Sequence, residues 1–179
     1  MSTKTLMTVE QFAAMITADT ENYELVEGEL VPLSSGTPYH NAIRDNVYEF
    51  LRAYLKERGT GKAIIELDSR VSAETVRRPD VSVFLGDRAS RLNRYEIPVP
   101  FAPDIAVEVL SSSERAIDVH RKVKEYRLAG ASEVWLLDES NQEVFVHSAD
   151  GIRRFEESEA IETPLLPGFS ANIAELFKF

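Results

Sequence analysis

The chain has 179 residues, 44% of them hydrophobic, with 8 Gly, 8 Pro and no Cys. That is about one domain's worth of chain with enough apolar content for one core; a disordered tail, a collagen-like repeat, disulfides, zinc-thiolate clusters and cysteine nucleophiles are excluded. The formal charge of −10 opposes non-specific adhesion to nucleic acid or to an anionic membrane. No apolar run approaches the ~20 residues of a bilayer span, and Met1–Leu6 has none of the apolar character of a secretory signal, so a cytoplasmic protein without membrane association is expected.

Thr8-Val9-Glu10-Gln11 fits a capping box, and Val9, Phe12, Ala13 and Ile16 follow at helical spacing. Tyr23–Val26 and Glu29–Val31 flank Glu27-Gly28, which predicts a hairpin over residues 23 to 33. From Pro38 to Arg58, Ile43, Val47, Phe50, Leu51, Tyr54 and Leu55 form one stripe of a long helix, closed by Gly59 as a left-handed cap. Lys62–Ser72 and Asp80–Leu85 read as β-rich, with Pro79 confined to a strand's start. Asp104–Leu110 is a strand with Ile105, Val107 and Val109 on one face and Ala106, Glu108 and Leu110 on the other. Ser111-Ser112-Ser113-Glu114 fits a second capping box and predicts a helix running to Gly130, with Ile117, Val119, Val123, Tyr126 and Leu128 among its apolar residues. Glu133–Asp138 reads as a strand, Glu143–His147 and Gly151–Phe155 as a hairpin, and Ala171–Phe177 as a last short helix. No linker or repeat divides the chain. Residues 1–179 are expected to form a single α/β (α+β) domain, a central sheet flanked by the long helix and the helix after Leu110.

Glu108 is a charged residue in an otherwise apolar strand, where burial without a partner would cost several kcal/mol. A sheet edge or an ion pair to an arginine accounts for a lone strand Glu more simply than catalysis does. Asp80, at the start of another strand, is the second acid in similar circumstances. Two strand carboxylates facing one pocket suit a hard cation such as Mg²⁺ or Mn²⁺, which takes oxygen ligands and keeps water for chemistry. Lys122 and Lys124 lie on the following helix, and an ammonium beside the carboxylates could orient a water and offset phosphate charge. A helical lysine taken alone is more simply solvent-exposed.

Arg78-Pro79-Asp80-Val81, the strand Pro103–Ser111, Lys122 with Tyr126, Ala129-Gly130, and the strand Glu133–Asp138 resemble the bacterial Uma family of restriction-endonuclease-like domains, part of the PD-(D/E)XK nuclease superfamily. Tyr23–Leu30, His40 and Leu166–Phe169 extend the likeness over nearly the whole chain. The resemblance implies a restriction-endonuclease-like core of helix, three-stranded meander, helix and strand, with a mixed sheet flanked by helices. It implies Asp80 and Glu108 as metal-binding acids, and Glu24 as an additional acid near the metal. Where the standard motif has a lysine two residues after the second acid, this chain has Leu110; the role maps onto Lys122 on the next helix, whose spacing to Tyr126 fits better than that of Lys124. His40 is placed near the same region.

The leading reading is a metal-dependent nuclease hydrolysing DNA phosphodiester bonds. Asp80 and Glu108 would bind Mg²⁺ or Mn²⁺, Lys122 would position the attacking water, and Arg77, Arg78, His40 and Tyr126 would touch substrate. Between Arg77 and Arg94 there are five arginines against two acids, and Arg115 and Arg121 follow, so a basic face on an acidic protein is the expected DNA contact. Trp135 is read as core, and Tyr126 is open between core packing and base stacking. A homodimer is expected, with target choice from dimerisation or from an unidentified targeting partner. Two other classes stay open: a nuclease-fold binding or accessory module of a mobile element or defence system without turnover, and a small-phosphate hydrolase.

Overall fold

The computed structural model describes residues 6–15, 22–111 and 114–179. The first helix, α1 (Val9–Met15), starts at the predicted capping box: the Thr8 N–H donates to Gln11 Oε1 at 2.8 Å and the Gln11 N–H to Thr8 Oγ1 at 3.2 Å. Val9 and Phe12 are its buried face; the expected position of Ile16 lies outside the described residues. Strands β1 (Tyr23–Val26) and β2 (Glu29–Pro32) form the predicted hairpin. Glu27 and Gly28 at its tip have φ of 51° and 79°, the left-handed pair that matches the twist of the two strands.

The long helix α2 (Pro38–Arg58) has Pro38 at its first position and Thr37 as N-cap, accepting the His40 N–H at 3.0 Å. Gly59 ends it with φ 65°. Then come β3 (Gly61–Ile65), β4 (Ser69–Arg70), β5 (Val76–Arg77), β6 (Val81–Leu85), α3 (Gly86–Arg91) and β7 (Ile105–Leu110). The chain continues through α4 (Ala116–Leu128), β8 (Glu133–Asp138), β9 (Glu143–Ser148), β10 (Gly151–Phe155), β11 (Ala160–Ile161), β12 (Ala171–Asn172) and α5 (Ile173–Leu176).

The central sheet has six strands in the order β10-β9-β8-β7-β6-β3. β3, β6 and β7 are an antiparallel meander, and β7 pairs with β8 in parallel through the crossover helix α4. This is a mixed sheet flanked by helices, as expected. A smaller sheet, β2-β1-β5-β4, packs with α1.

Alternation along β7 sends its residues into two cores. Ile105, Val107 and Val109 pack with Ile43, Val47, Leu51 and Leu55 of α2 and with Trp135. Ala106 packs with Tyr126 of α4 and Leu136, on the opposite face. Trp135 is buried, as expected, and its Nε1–H donates to Glu133 Oε2 at 2.7 Å.

Two expectations are corrected. The helix predicted from Ser111 starts only at Ala116, with Arg115 as N-cap and no side-chain cap. The Glu114 carboxylate still accepts the Ser111 N–H at 3.2 Å, but its other oxygen is drawn to the Lys122 ammonium, a charge-assisted bond stronger than a cap. Ser112 and Ser113 lie outside the described residues. On the same helix the apolar Ile117 and Leu128 are 70% and 77% exposed. Last, the helix predicted from Ala171 begins at Ile173, because Ala171 and Asn172 pair with Ile161 and Ala160; the Asn172 side chain then caps α5.

Candidate active site

Strand register brings the two acids together. Val81 pairs with Val107 across the antiparallel β6–β7 ladder, so Asp80, one residue before β6, comes level with Glu108. Asp80 Oδ2 accepts the Val109 N–H at 2.7 Å, and Asp80 Oδ1 lies 3.1 Å from His40 Nε2. The first turn of α2 carries that imidazole, presented there by the Thr37 cap and Pro38.

Glu108 is buried on the α4 side of β7 and has two partners there, both from α4. Tyr126 donates its O–H to Glu108 Oε1 at 2.7 Å, and Lys122 Nζ donates to Glu108 Oε2 at 2.9 Å and to Glu114 Oε1 at 3.1 Å. Tyr126 and Lys122 are four residues apart on one helix face, which is what lets both reach one carboxylate. Lys124 is exposed and borders a different groove, on the outer side of α4.

The electrostatics follow from burial and crowding. Burial pushes the Glu108 carboxyl up to about 7; the Lys122 ammonium works against this, while Asp80 and Glu24 add to it. Burial alone would lower the Lys122 pKa, but Glu108, Glu24 and Glu114 outweigh it and hold the ammonium charged. Burial, reinforced by Glu108, pushes the Tyr126 hydroxyl well above its ordinary value, so it remains a donor. The hydrogen bond to Asp80 raises His40 against partial burial.

Asp80, Glu108, Glu114, Lys122, His40 and Arg78 border one cavity of about 210 Å³, walled on the side opposite α4 by the Leu33–Thr37 segment. Past His40 and Asp80 it adjoins a second lobe of about 340 Å³ bordered by Arg44, Glu66 and Arg78. Among the described residues no three ligating side chains are grouped to hold a metal by themselves. Two carboxylates, hard oxygen donors whose mutual repulsion is felt at Glu108, fit Mg²⁺ or Mn²⁺, which binds through one or two carboxylates with water and substrate phosphate completing the shell.

Of the expected site residues, Asp80, Glu108, Lys122, His40 and Arg78 come together here. Three other expected site residues are buried and lie outside the cavity lining. Glu24, expected as a further metal acid, is buried and does not border the cavity: its oxygens accept Arg77 Nη1 at 2.7 Å and the Arg78 N–H at 2.8 Å. Arg77, expected on substrate, is 3% exposed and held between Glu24 and Glu125, the latter at 2.6 Å. Tyr126, open between core and stacking, is a fully buried core ring that offers no face to a base.

Three participants had not been singled out: Glu114, Glu125 and Asp68. Asp68 holds the Arg78 guanidinium at 2.8 and 2.9 Å. Glu125, three residues from Lys122, was visible as a neighbour on the same helix face. Glu114 and Asp68 reach their partners through tertiary contact alone, which no local spacing signals.

Residues 9–174 match the model of the Uma2 family, described as "Putative restriction endonuclease". The crystal structure of a "putative nuclease belonging to DUF820" from Anabaena variabilis superimposes with a TM-score of 0.81 at 23% identity, covering 96% of this chain and 97% of its own, and shows the same fold. No curated protein matches the chain.

Proposed function

The chain belongs to the Uma2 family, and from that premise we propose that it is a metal-dependent nuclease that hydrolyses DNA phosphodiester bonds. The observation that carries this reading is the convergence of Asp80, Glu108 and Lys122 on one cavity from three separate elements, with Lys122 Nζ 2.9 Å from Glu108. Asp80 and Glu108 would hold Mg²⁺ or Mn²⁺, which when bound polarises a phosphoryl oxygen and makes water acidic enough to attack.

The other steps belong to the chain's own side chains. Lys122, kept charged by its three acidic neighbours, orients a water for in-line attack and offsets charge building on the phosphate. Glu114 shares the ammonium with Glu108 and so helps fix where that charge stands. Tyr126 presents Glu108 by a hydrogen bond the ring cannot easily leave. His40 fixes the Asp80 carboxylate, and Arg78, steadied by Asp68, stands at the junction of the two lobes where a backbone phosphate can meet it. In this reading, target choice comes from a second copy of the chain or from a targeting partner.

The test is cleavage of plasmid and single-stranded DNA with Mn²⁺ by the wild-type chain and by Asp80→Ala. Cleavage by the wild type alone is the expected result. Equal cleavage by both would remove Asp80 from the chemistry, and none by either would leave a nuclease-fold binding module.

A further inference from the structure

A second cleft opens beside the catalytic cavity, between α4 and the sheet. It encloses about 490 Å³ and shares Ser111 and Glu114 with that cavity, so the two adjoin. Val119 and Val123 of α4 line one side; Leu136 of β8 and Phe145 of β9 line the other. These residues belong to the core around Tyr126, yet Val119, Val123 and Phe145 are only half-buried. Apolar side chains from α4 and from the sheet therefore line the cleft together, partly open to solvent.

The ends of the cleft are polar. His120 and His147 border it, and neither imidazole hydrogen-bonds another described residue. Burial, with His120 and Arg127 nearby, lowers the pKa of His147, so at neutral pH its ring offers one donor and one acceptor. Asp138 also borders the cleft, its carboxylate accepting the Ser140 N–H at 2.9 Å and the Asn141 amide at 2.8 Å.

These features narrow what the cleft can hold. A partly open apolar lining suits a flat ring, and unpartnered imidazoles suit polar atoms on the ring's edge. Glu114 and Asp138 repel a phosphate from the cleft itself, while the adjoining cavity presents Lys122 and Arg78 to one. A nucleotide has this division of character, an apolar-faced base beside an anion, and bases on single strands are read by stacking and edge contacts.

We propose that the cleft between α4 and the sheet is a nucleobase-binding subsite, which receives a base of the strand whose phosphodiester occupies the neighbouring cavity. This rests on the nuclease reading and deepens it: the substrate at the site is a strand with an unpaired base.

The test titrates deoxyadenosine and thymidine, which carry no phosphate, into the metal-free wild-type chain and Val119→Trp, whose indole fills the gap. Imidazole proton signals of His120 and His147 report binding. Shifts saturating in the wild type and absent in Val119→Trp are expected, and His147→Ala should weaken binding severalfold if the tryptophan variant does not fold by circular dichroism. With single-stranded oligonucleotides, Val119→Trp should raise KM about tenfold with kcat nearly unchanged, a loss of uniform binding. No nucleoside binding, or equal binding by folded Val119→Trp and His147→Ala, would overturn the subsite. Cleavage with unaltered KM in these variants would overturn the subsite alone. Nucleoside binding without cleavage of any DNA would overturn the nuclease reading and leave the subsite standing.

Discussion

Glu108 is a charged side chain in an apolar strand, and its surroundings show how such burial is tolerated. Its two oxygens meet a lysine at 2.9 Å and a tyrosine hydroxyl at 2.7 Å, yet burial still pushes its carboxyl up to about 7. The folded chain thus binds this proton more tightly than the unfolded chain, where the ordinary value is 4.5. The contribution of Glu108 to stability is fully present below the unfolded value and is lost as pH rises through about 7. In metal-free protein, urea midpoints measured from about pH 5 to about pH 8 should fall more steeply for wild type than for Glu108→Gln. Equal slopes would place the ionised carboxylate at no cost.

Lys122 and Lys124 differ in the same local terms. Lys122 is enclosed by Glu108 and Glu114, whereas Lys124 is exposed on the outer side of α4. Lys122→Ala should lower kcat about 10²-fold or more, the usual scale for removing one preorganised electrostatic group, while Lys124→Ala leaves it unchanged. Glu114→Gln, which keeps a hydrogen bond and removes a charge, should cost about tenfold in kcat with metal affinity retained, about 1.4 kcal/mol of barrier. Cleavage kinetics with Mn²⁺ read all three, and a larger loss for Lys124→Ala would relocate the catalytic lysine.

At the scale of elements, the site depends on where α4 lies against β7. Arg77 ties α4 to the smaller sheet, pairing through Nη1 with Glu24 of β1 and through Nε with Glu125 of α4. Its guanidinium is held firmly charged by these acids against burial; its remaining Nη2 has no partner among the described residues. Arg77→Met would leave Glu24 and Glu125 without their shared cation, and breaking such a pair from one side costs about 3–5 kcal/mol. Urea denaturation should show a loss of that order, and a change under about 1 kcal/mol would mean that the neighbours repack around the apolar side chain.

The same elements show what a sequence can reveal. The two faces of β7 were legible because alternation is local, and α2 because its apolar stripe and its two caps lie within one segment. The start of α4 was not, because Glu114 answers to Lys122 as well as to its own backbone. Two-residue strands such as β4 and β5 exist only through their partners, and Gly86–Arg91 carries no apolar periodicity to announce α3. Asp80 and Glu108 were found as a pair through family likeness and an out-of-place charge. The retreat of Glu24, Arg77 and Tyr126 into the interior was hidden, since only tertiary contacts reveal which charges pair with each other.

The whole molecule carries a charge of −10, and much of the basic stretch expected to meet DNA is engaged by nearby carbonyls and carboxylates, even where the side chains stay exposed. Arg88 reaches the carbonyls of Ala102, Pro103 and Gly130, Arg91 pairs with Asp87, and Arg115 and Arg121 share Asp118. Arg78 is the arginine of that stretch that borders the cavity. Among the described residues no helix is long and apolar enough to cross a membrane. On the nuclease reading, an acidic molecule with a recessed site would engage DNA through that site more than through a broad basic face, so the carboxylate pair is the part to test.

The most direct measurement is therefore calorimetric titration of Mn²⁺ into the wild-type chain and into Asp80→Ala, each checked for fold by circular dichroism. Saturable binding to the wild type and its loss in the variant are expected. Binding of equal strength in folded Asp80→Ala would contradict this, because the metal would then be held elsewhere than between Asp80 and Glu108.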